Sequence, residues 1–336
     1  MTNGSLPAPD RILEMLWGFA PLLIVEAAAS NGIFDVLRDG PRGLDGLVEA
    51  TGSSTRGVQA IADALVGLGF LSNTDGLYRL MPESEAFLTS GTPTSFAPML
   101  RHFTRQLIPG WLQLSDVVRE GKPATSVNRE GPGSAFFSEF VDSIFPLSYP
   151  AARRLGEHLG VPSAVARVSV LDLGAGSGVW GIALAQQSRH VHVRAVDWTR
   201  VLEVTARVAA RCGVGDRVEG VGGDLLAADF GTEHNIATIG HILHSEGEER
   251  SRALLRRVFG ALHAGGTVAI QEFLLDETRQ GPPAALIFGV NMLVNSDAGR
   301  TFAFDEIASW LSAAGFINAR LLEVPGPAPL ILATKP

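Results

Sequence analysis

A single cysteine, Cys212, in 336 residues leaves no partner for an intrachain disulfide, so the chain is not a disulfide-stapled scaffold. Cys212 lies in a helical pattern, where a thiol packs as a small apolar group. Long apolar runs are also lacking. Residues 15–25, the longest such stretch in the N-terminal part, are about half a membrane span and include Pro21. No basic leader with an apolar centre precedes them, so the expected compartment is the cytoplasm and no membrane partner is expected. Positive charge is scarce too: residues 1–90 hold five arginines, no lysine and eleven acids, and the whole chain carries −8. Attraction to phosphate backbones needs a basic face, so no nucleic-acid partner is expected.

What the chain does have is length for more than one core, and glycine where a ligand would need it. The apolar run Val168–Leu173 reads as a buried parallel strand and leads directly into Gly174-Ala175-Gly176-Ser177-Gly178. Glycines there remove Cβ atoms where the chain turns tightly and let a ligand touch backbone. Asp197 ends the next apolar strand, where a carboxylate accepts ribose hydroxyls. Two cofactor classes satisfy these glycines. Gly176, Gly178 and Gly181 fit a dinucleotide pattern, whereas Gly174, Gly176 and Gly178 fit the pattern used for S-adenosylmethionine (SAM).

Context favours SAM. Asp172, just before the turn, would repel a pyrophosphate but suits a ligand with ammonium and sulfonium charges. Asp224 follows the third strand, placed to accept from an adenine amino group. Two apolar runs at the end of the chain, residues 319–324 and 330–333, flank Pro325-Gly326-Pro327 and suit an antiparallel hairpin at a sheet edge.

With these residues, and with Ile242-Leu243-His244 and Gln271-Glu272-Phe273, the chain resembles class I SAM-dependent methyltransferases. Over roughly residues 10–336 it is similar to the small-molecule O-methyltransferase family that carries an N-terminal dimerisation domain. The resemblance implies an α/β Rossmann-like domain with a mostly parallel seven-stranded sheet and a C-terminal antiparallel hairpin. It also implies a mainly α winged-helix dimerisation domain and hence a homodimer. The expected divisions are 1–95 for dimerisation, 96–160 for a helical linker and substrate-pocket segment, and 161–336 for the SAM-binding catalytic domain.

The N-terminal pattern agrees. Ile12, Leu16, Phe19, Leu22 and Leu23 make helices apolar on more than one face, which calls for a partner chain. Then come helices at residues 44–50 and 58–68, the second capped by the run Ser53-Ser54-Thr55, and a ribbon at 69–80 turning at Asn73 to Gly76. The middle segment is rich in aromatics, including Phe96, Trp111, Phe137, Phe140 and Tyr149. It is expected to roof an apolar cavity, with a loop at residues 121–134.

For the cofactor the resemblance points to Asp172, Gly174, Ala175 and Gly176 at the turn, Asp197 and Trp198 after the second strand, Asp224 and Leu225 after the third, and Gly240. For a small-molecule acceptor it points to Phe140, Ile144, Met292 and Asn295, the last two on a helix at residues 284–295. His244, expected to follow a strand at 235–243 with Ser245 capping the next helix, aligns with the general base. Glu272 aligns with the carboxylate that orients it. His241 and His244 stand three apart, but no third ligand is evident in the sequence, so no metal is expected. The chain departs from the family at Ser245-Glu246, where an Asp-Trp pair is common, at Gly240, often basic, and at Gly299, where a second glutamate is expected before Arg300-Thr301. Carbon methylation, a non-methylating SAM enzyme, an NAD-dependent oxidoreductase and a winged-helix ligand sensor remain the alternatives.

Overall fold

The computed structural model describes residues 8–92 and 94–336. They divide into two compact units after Gln106. The helix Ala97–His102 therefore belongs to the first unit, and the rest of the aromatic middle segment, from Leu107, to the second.

In the first unit the two expected helices are Leu44–Thr51 and Thr55–Gly67. The second starts where Ser54 Oγ accepts the Gly57 N–H at 3.2 Å, and it buries Val58, Ala62 and Leu65 at the spacing of one helical face. The strands β1 (Leu71–Thr74) and β2 (Leu77–Leu80) pair antiparallel, with Asn73 Oδ1 holding the Gly76 N–H at 3.1 Å across the turn. Phe34, Leu37, Leu47 and Leu71 close the core. Ahead of it, Ile12, Met15 and Trp17 are 66%, 71% and 72% exposed. The stretch Asp10–Ser30 is the one described segment long and apolar enough to cross a membrane, although it is two helices, Asp10–Leu16 and Ala20–Ser30.

The second unit is built on a seven-stranded sheet. Its strands are β3 (Val168–Leu173), β4 (Val191–Asp197), β5 (Val218–Gly222), β6 (His234–Gly240), β7 (Leu262–Gln271), β10 (Ile317–Leu322) and β11 (Leu330–Thr334). A short pair, β8 (Leu274–Leu275) and β9 (Phe302–Ala303), lies apart from it. The order across the sheet is β10-β11-β7-β6-β3-β4-β5, parallel except where β11 runs antiparallel to both neighbours. The chain winds outward from β3 through β4 to β5, then returns to place β6 on the other side of β3. That reversal opens a crevice at the carboxyl ends of β3 and β6, the place where ligands bind in such sheets.

Strands covered on both faces read as unbroken apolar runs, and β3 shows it: Val170, Leu171 and Leu173 are fully buried. The helix Val179–Gln187 is apolar on all sides because it lies between the sheet and the helix Phe145–His158. Gly181 is there for packing, since a Cβ would come within 2.5 Å of Val193 Cγ1.

Three expectations change. The strand foreseen at 235–243 ends at Gly240, because His241 turns into the left-handed region with φ 59°. Ser245 does not cap a helix; the helix begins at Leu243, and Ser245 Oγ donates to Ile242 O at 2.9 Å. The loop foreseen at 121–134 gives way at Glu130 to the helix Glu130–Phe140.

Replacing Ser54 with alanine removes the capping acceptor of Thr55–Gly67. It should lower stability by about 1 kcal/mol, read as a lower urea midpoint at unchanged slope.

Candidate active site

A cavity of about 950 Å³, part of it open to solvent, lies at the sheet reversal. Its floor is the glycine turn. Gly174 and Gly176 have φ 61° and 56°, backbone that disfavours any side chain, and a Cβ on Gly174 would come within 2.6 Å of Ile242 Cγ1. The turn is tied to β4: Gly174 N and Ala175 N donate to Val196 O at 2.9 and 3.2 Å, and Gly176 N donates to Asp197 Oδ2 at 2.9 Å.

Asp197 also accepts the Trp198 N–H on Oδ1 at 2.7 Å. Burial outweighs those two hydrogen bonds and lifts its carboxyl to about 6. Asp224 accepts the Leu226 N–H at 2.8 Å and the Arg250 guanidinium at 2.7 Å. Arg250 also binds Glu246, four residues earlier on its helix. The sequence reading did not single out Arg250, although its i, i+4 spacing from Glu246 was the available signal.

Gly174, Ala175, Gly176, Asp197, Trp198, Asp224, Leu225 and Gly240 all stand in the cavity wall, as does Ile144. The middle segment adds Phe137 and Val141, and Phe137 lies 6.1 Å from the Trp198 ring. Asp172 stands behind the wall, 1% exposed. Its oxygens accept from Thr238 Oγ1 at 2.8 Å and Gly181 N at 3.0 Å, and burial raises its carboxyl to about 7. It joins β3 to β6 and to the following helix, and it is not among the residues lining the cavity.

Phe140, Met292 and Asn295 are not in this wall. Phe140 packs 5.2 Å from Phe136 and 5.5 Å from Phe137. Met292 is buried, and Asn295 Nδ2 donates back to Asn291 O at 2.9 Å.

His244 and Glu272 are buried and are not in this wall either, although His241, Ile242 and Ser245, next to His244 in the chain, are. His244 Nδ1 lies 2.7 Å from Glu272 Oε2, while Oε1 accepts the Leu243 N–H at 2.8 Å. Burial alone would raise the Glu272 carboxyl, but His244 and His241, together with the backbone N–H, hold it below the usual carboxylate range. The His244 ring meets Phe288 edge-on at 4.8 Å, and Phe288 lies 4.4 Å from Phe273. Phe273 in turn lies 4.8 Å from His241, whose ring lines the cavity beside His244. Burial drives His241 down to about 4, so it is neutral at pH 7. Its Nδ1 is buried without a partner.

Among the described residues, His241, His244 and Glu272 bring ligand-type atoms within 4.8 Å of one another. The third group missing from the sequence reading is thus Glu272. Both oxygens of Glu272 already hold hydrogen bonds, to His244 Nδ1 and to the Leu243 N–H.

Glycine at position 299 has a structural reason. A Cβ there would fall 2.5 Å from the His244 carbonyl oxygen, and its absence lets Arg300 N donate to that oxygen at 2.9 Å.

A family model described as the O-methyltransferase domain matches residues 111–317, and one described as the O-methyltransferase dimerisation domain matches residues 13–90. The chain belongs to the O-methyltransferase family. It is 28% identical to the 3-hydroxy-5-methyl-1-naphthoate 3-O-methyltransferase of Streptomyces sahachiroi over 95% of this chain and 92% of that protein. It is also 28% identical to the tetracenomycin polyketide synthesis 8-O-methyl transferase TcmO of Streptomyces glaucescens, over 98% and 97%. Human N-acetylserotonin methyltransferase in complex with SAM shares the fold, with TM-score 0.84, 23% identity and coverage of 100% and 99%.

The family's donor is SAM, and the cavity fits it. Gly174 and Gly176 leave backbone open to a ligand, and the carboxylates of Asp197 and Asp224 stand in the wall beside it, Asp224 paired with Arg250. The dinucleotide and ligand-sensor alternatives are set aside by the match.

If Asp197 accepts the ribose hydroxyls, it does so best when ionised, so SAM binding should be strongest above about pH 6 and weaken as pH falls through that value. The Kd for SAM should rise towards roughly tenfold per pH unit below that point in titration calorimetry. In Asp197→Asn the affinity should be weaker and flat over the same range.

Proposed function

We propose that this O-methyltransferase moves the methyl group of SAM to a hydroxyl of an aromatic or polyketide-like small molecule. In this reading His244 is the general base and Glu272 its orienting carboxylate. The observation that carries it is the 2.7 Å Glu272–His244 hydrogen bond beside a cavity suited to the donor. Support for the acceptor class comes from the naphthoate and tetracenomycin enzymes and from the aromatic cluster of Phe273 and Phe288 against His244.

SAM supplies an electrophilic methyl group on a sulfonium when bound. Because Glu272 engages Nδ1 of His244, Nε2 is left to accept the acceptor's hydroxyl proton. An ordinary phenol, pKa ~10, and an ordinary imidazole, ~6.5, differ by about 5 kcal/mol, so complete proton transfer before methylation is costly. Partial removal during attack avoids most of that cost. Glu272 stabilises the positive ring that forms, and its two further contacts to backbone N–H groups keep it from rotating away.

We further propose a cytoplasmic homodimer joined through the dimerisation domain. The exposed Ile12, Met15 and Trp17 lie at or beside the start of that match, which gives the apolar stretch Asp10–Ser30 a role other than membrane crossing.

His244→Ala should lower kcat by roughly a hundred- to ten-thousandfold while leaving the Kd for SAM within about twofold. Glu272→Gln should lose less. The acceptor can be found by incubating isotopically labelled SAM with extract of the producing cell and identifying the labelled compound by mass spectrometry; label on carbon would overturn the hydroxyl assignment. Trp17→Glu should shift the sedimentation profile from dimer towards monomer.

A further inference from the structure

Because β3 lies between β4 and β6, the cavity has two distinct sides. Asp197 and Asp224, after β4 and β5, stand on one side of the glycine turn, and Gly240, at the end of β6, stands on the other. A nucleoside held at Asp197 leaves the amino-acid end of the donor for the β6 side. That end carries a carboxylate, and most donors around the glycine turn are already engaged. The N–H groups of Gly174 and Ala175 go to Val196 O, that of Gly176 to Asp197, and that of Gly178 to Ala175 O at 2.7 Å. The guanidinium of Arg250 is shared between Asp224 and Glu246.

Trp180 is different. It sits in the first turn of Val179–Gln187, 4% exposed, with its ring packed among Ala151, Leu155, Ala269 and Leu330. Its indole N–H has no hydrogen bond among the described residues, yet the buried polar atoms lacking a partner are Gln187 Oε1 and His241 Nδ1. The Trp180 N–H is therefore not sealed in the core; Trp180 stands in the cavity wall. Gly240 makes room for it. A Cβ at residue 240 would lie 2.9 Å from both Cδ1 and Cε2 of the indole and closer still to Nε1.

We propose that Trp180 Nε1–H receives the carboxylate of the donor's amino-acid end, and that Gly240 is glycine because the indole crosses it. This rests on SAM as the donor. A neutral indole donor selects for an acceptor, and a carboxylate is the strongest acceptor on the ligand.

The test is titration calorimetry of SAM and of decarboxylated SAM with the full-length wild type, Trp180→Phe and Gly240→Ala. Phenylalanine keeps an aromatic ring but loses the N–H. The expected result is a roughly ten- to hundredfold weaker Kd for SAM in Trp180→Phe, the range for a hydrogen bond to a charged group, with decarboxylated SAM changed by less than about twofold. Gly240→Ala, which displaces the indole, should show the same selective loss, and it serves as the test if the Trp180 variant fails to fold. Equal weakening of both ligands, or no weakening of either, would reduce Trp180 to a packing residue and overturn the proposal. A wild type that binds neither ligand would instead overturn the choice of donor.

Discussion

The hydrogen bonds from Gly174, Ala175 and Gly176 to the end of β4 are the constraint on which the site depends. They bend the chain out of β3 with no side chain between backbone and ligand, and they hold Asp197 at the cavity while its carboxylate is partly desolvated. A turn made only of flexible glycine would be costly to order. Here the cost is offset by four named hydrogen bonds, those three and the Asp197 contact to Trp198 N, all anchored at the end of a strand whose Ala195 and Val196 are fully buried.

On the other side of β3 the same logic serves chemistry instead of binding. β6 stops at Gly240, His241 takes a left-handed conformation, and the helix that follows starts two residues later. This sharp exit brings the backbone N–H groups of Leu243 and His244 onto Glu272 at the end of β7. One carboxylate thus satisfies the start of a helix and orients an imidazole. Gly299 closes the arrangement from behind by letting Arg300 reach the His244 carbonyl.

Much of this was legible in the residues. The glycine turn, the acid that ends β4 and the histidine just past β6 announce themselves because each needs a residue type that few other positions tolerate. The C-terminal hairpin was legible for a related reason: two apolar runs joined by Pro-Gly-Pro have little choice but to return on themselves. Asp172 shows where such reading fails. An acid beside the turn looks like a ligand contact, but whether a side chain faces cavity or core depends on which face of β3 is covered, and Thr238 and Gly181 cover Asp172 from elements distant in the chain. Arg250, Phe288 and Trp180 were missed or undervalued because each reaches its place from a helix whose rotation only packing sets.

The local order of strands and helices, the ligand-bearing turn and the two-unit organisation follow from the amino-acid sequence alone, since backbone sterics and apolar periodicity act over short stretches of chain. The tertiary structure decided the sheet reversal that makes a cavity, the meeting of Glu272 with His244, and the fit of Trp180 over Gly240. Those depend on contacts between residues 28 to 60 positions apart, and such distances are closed only when a common core is buried.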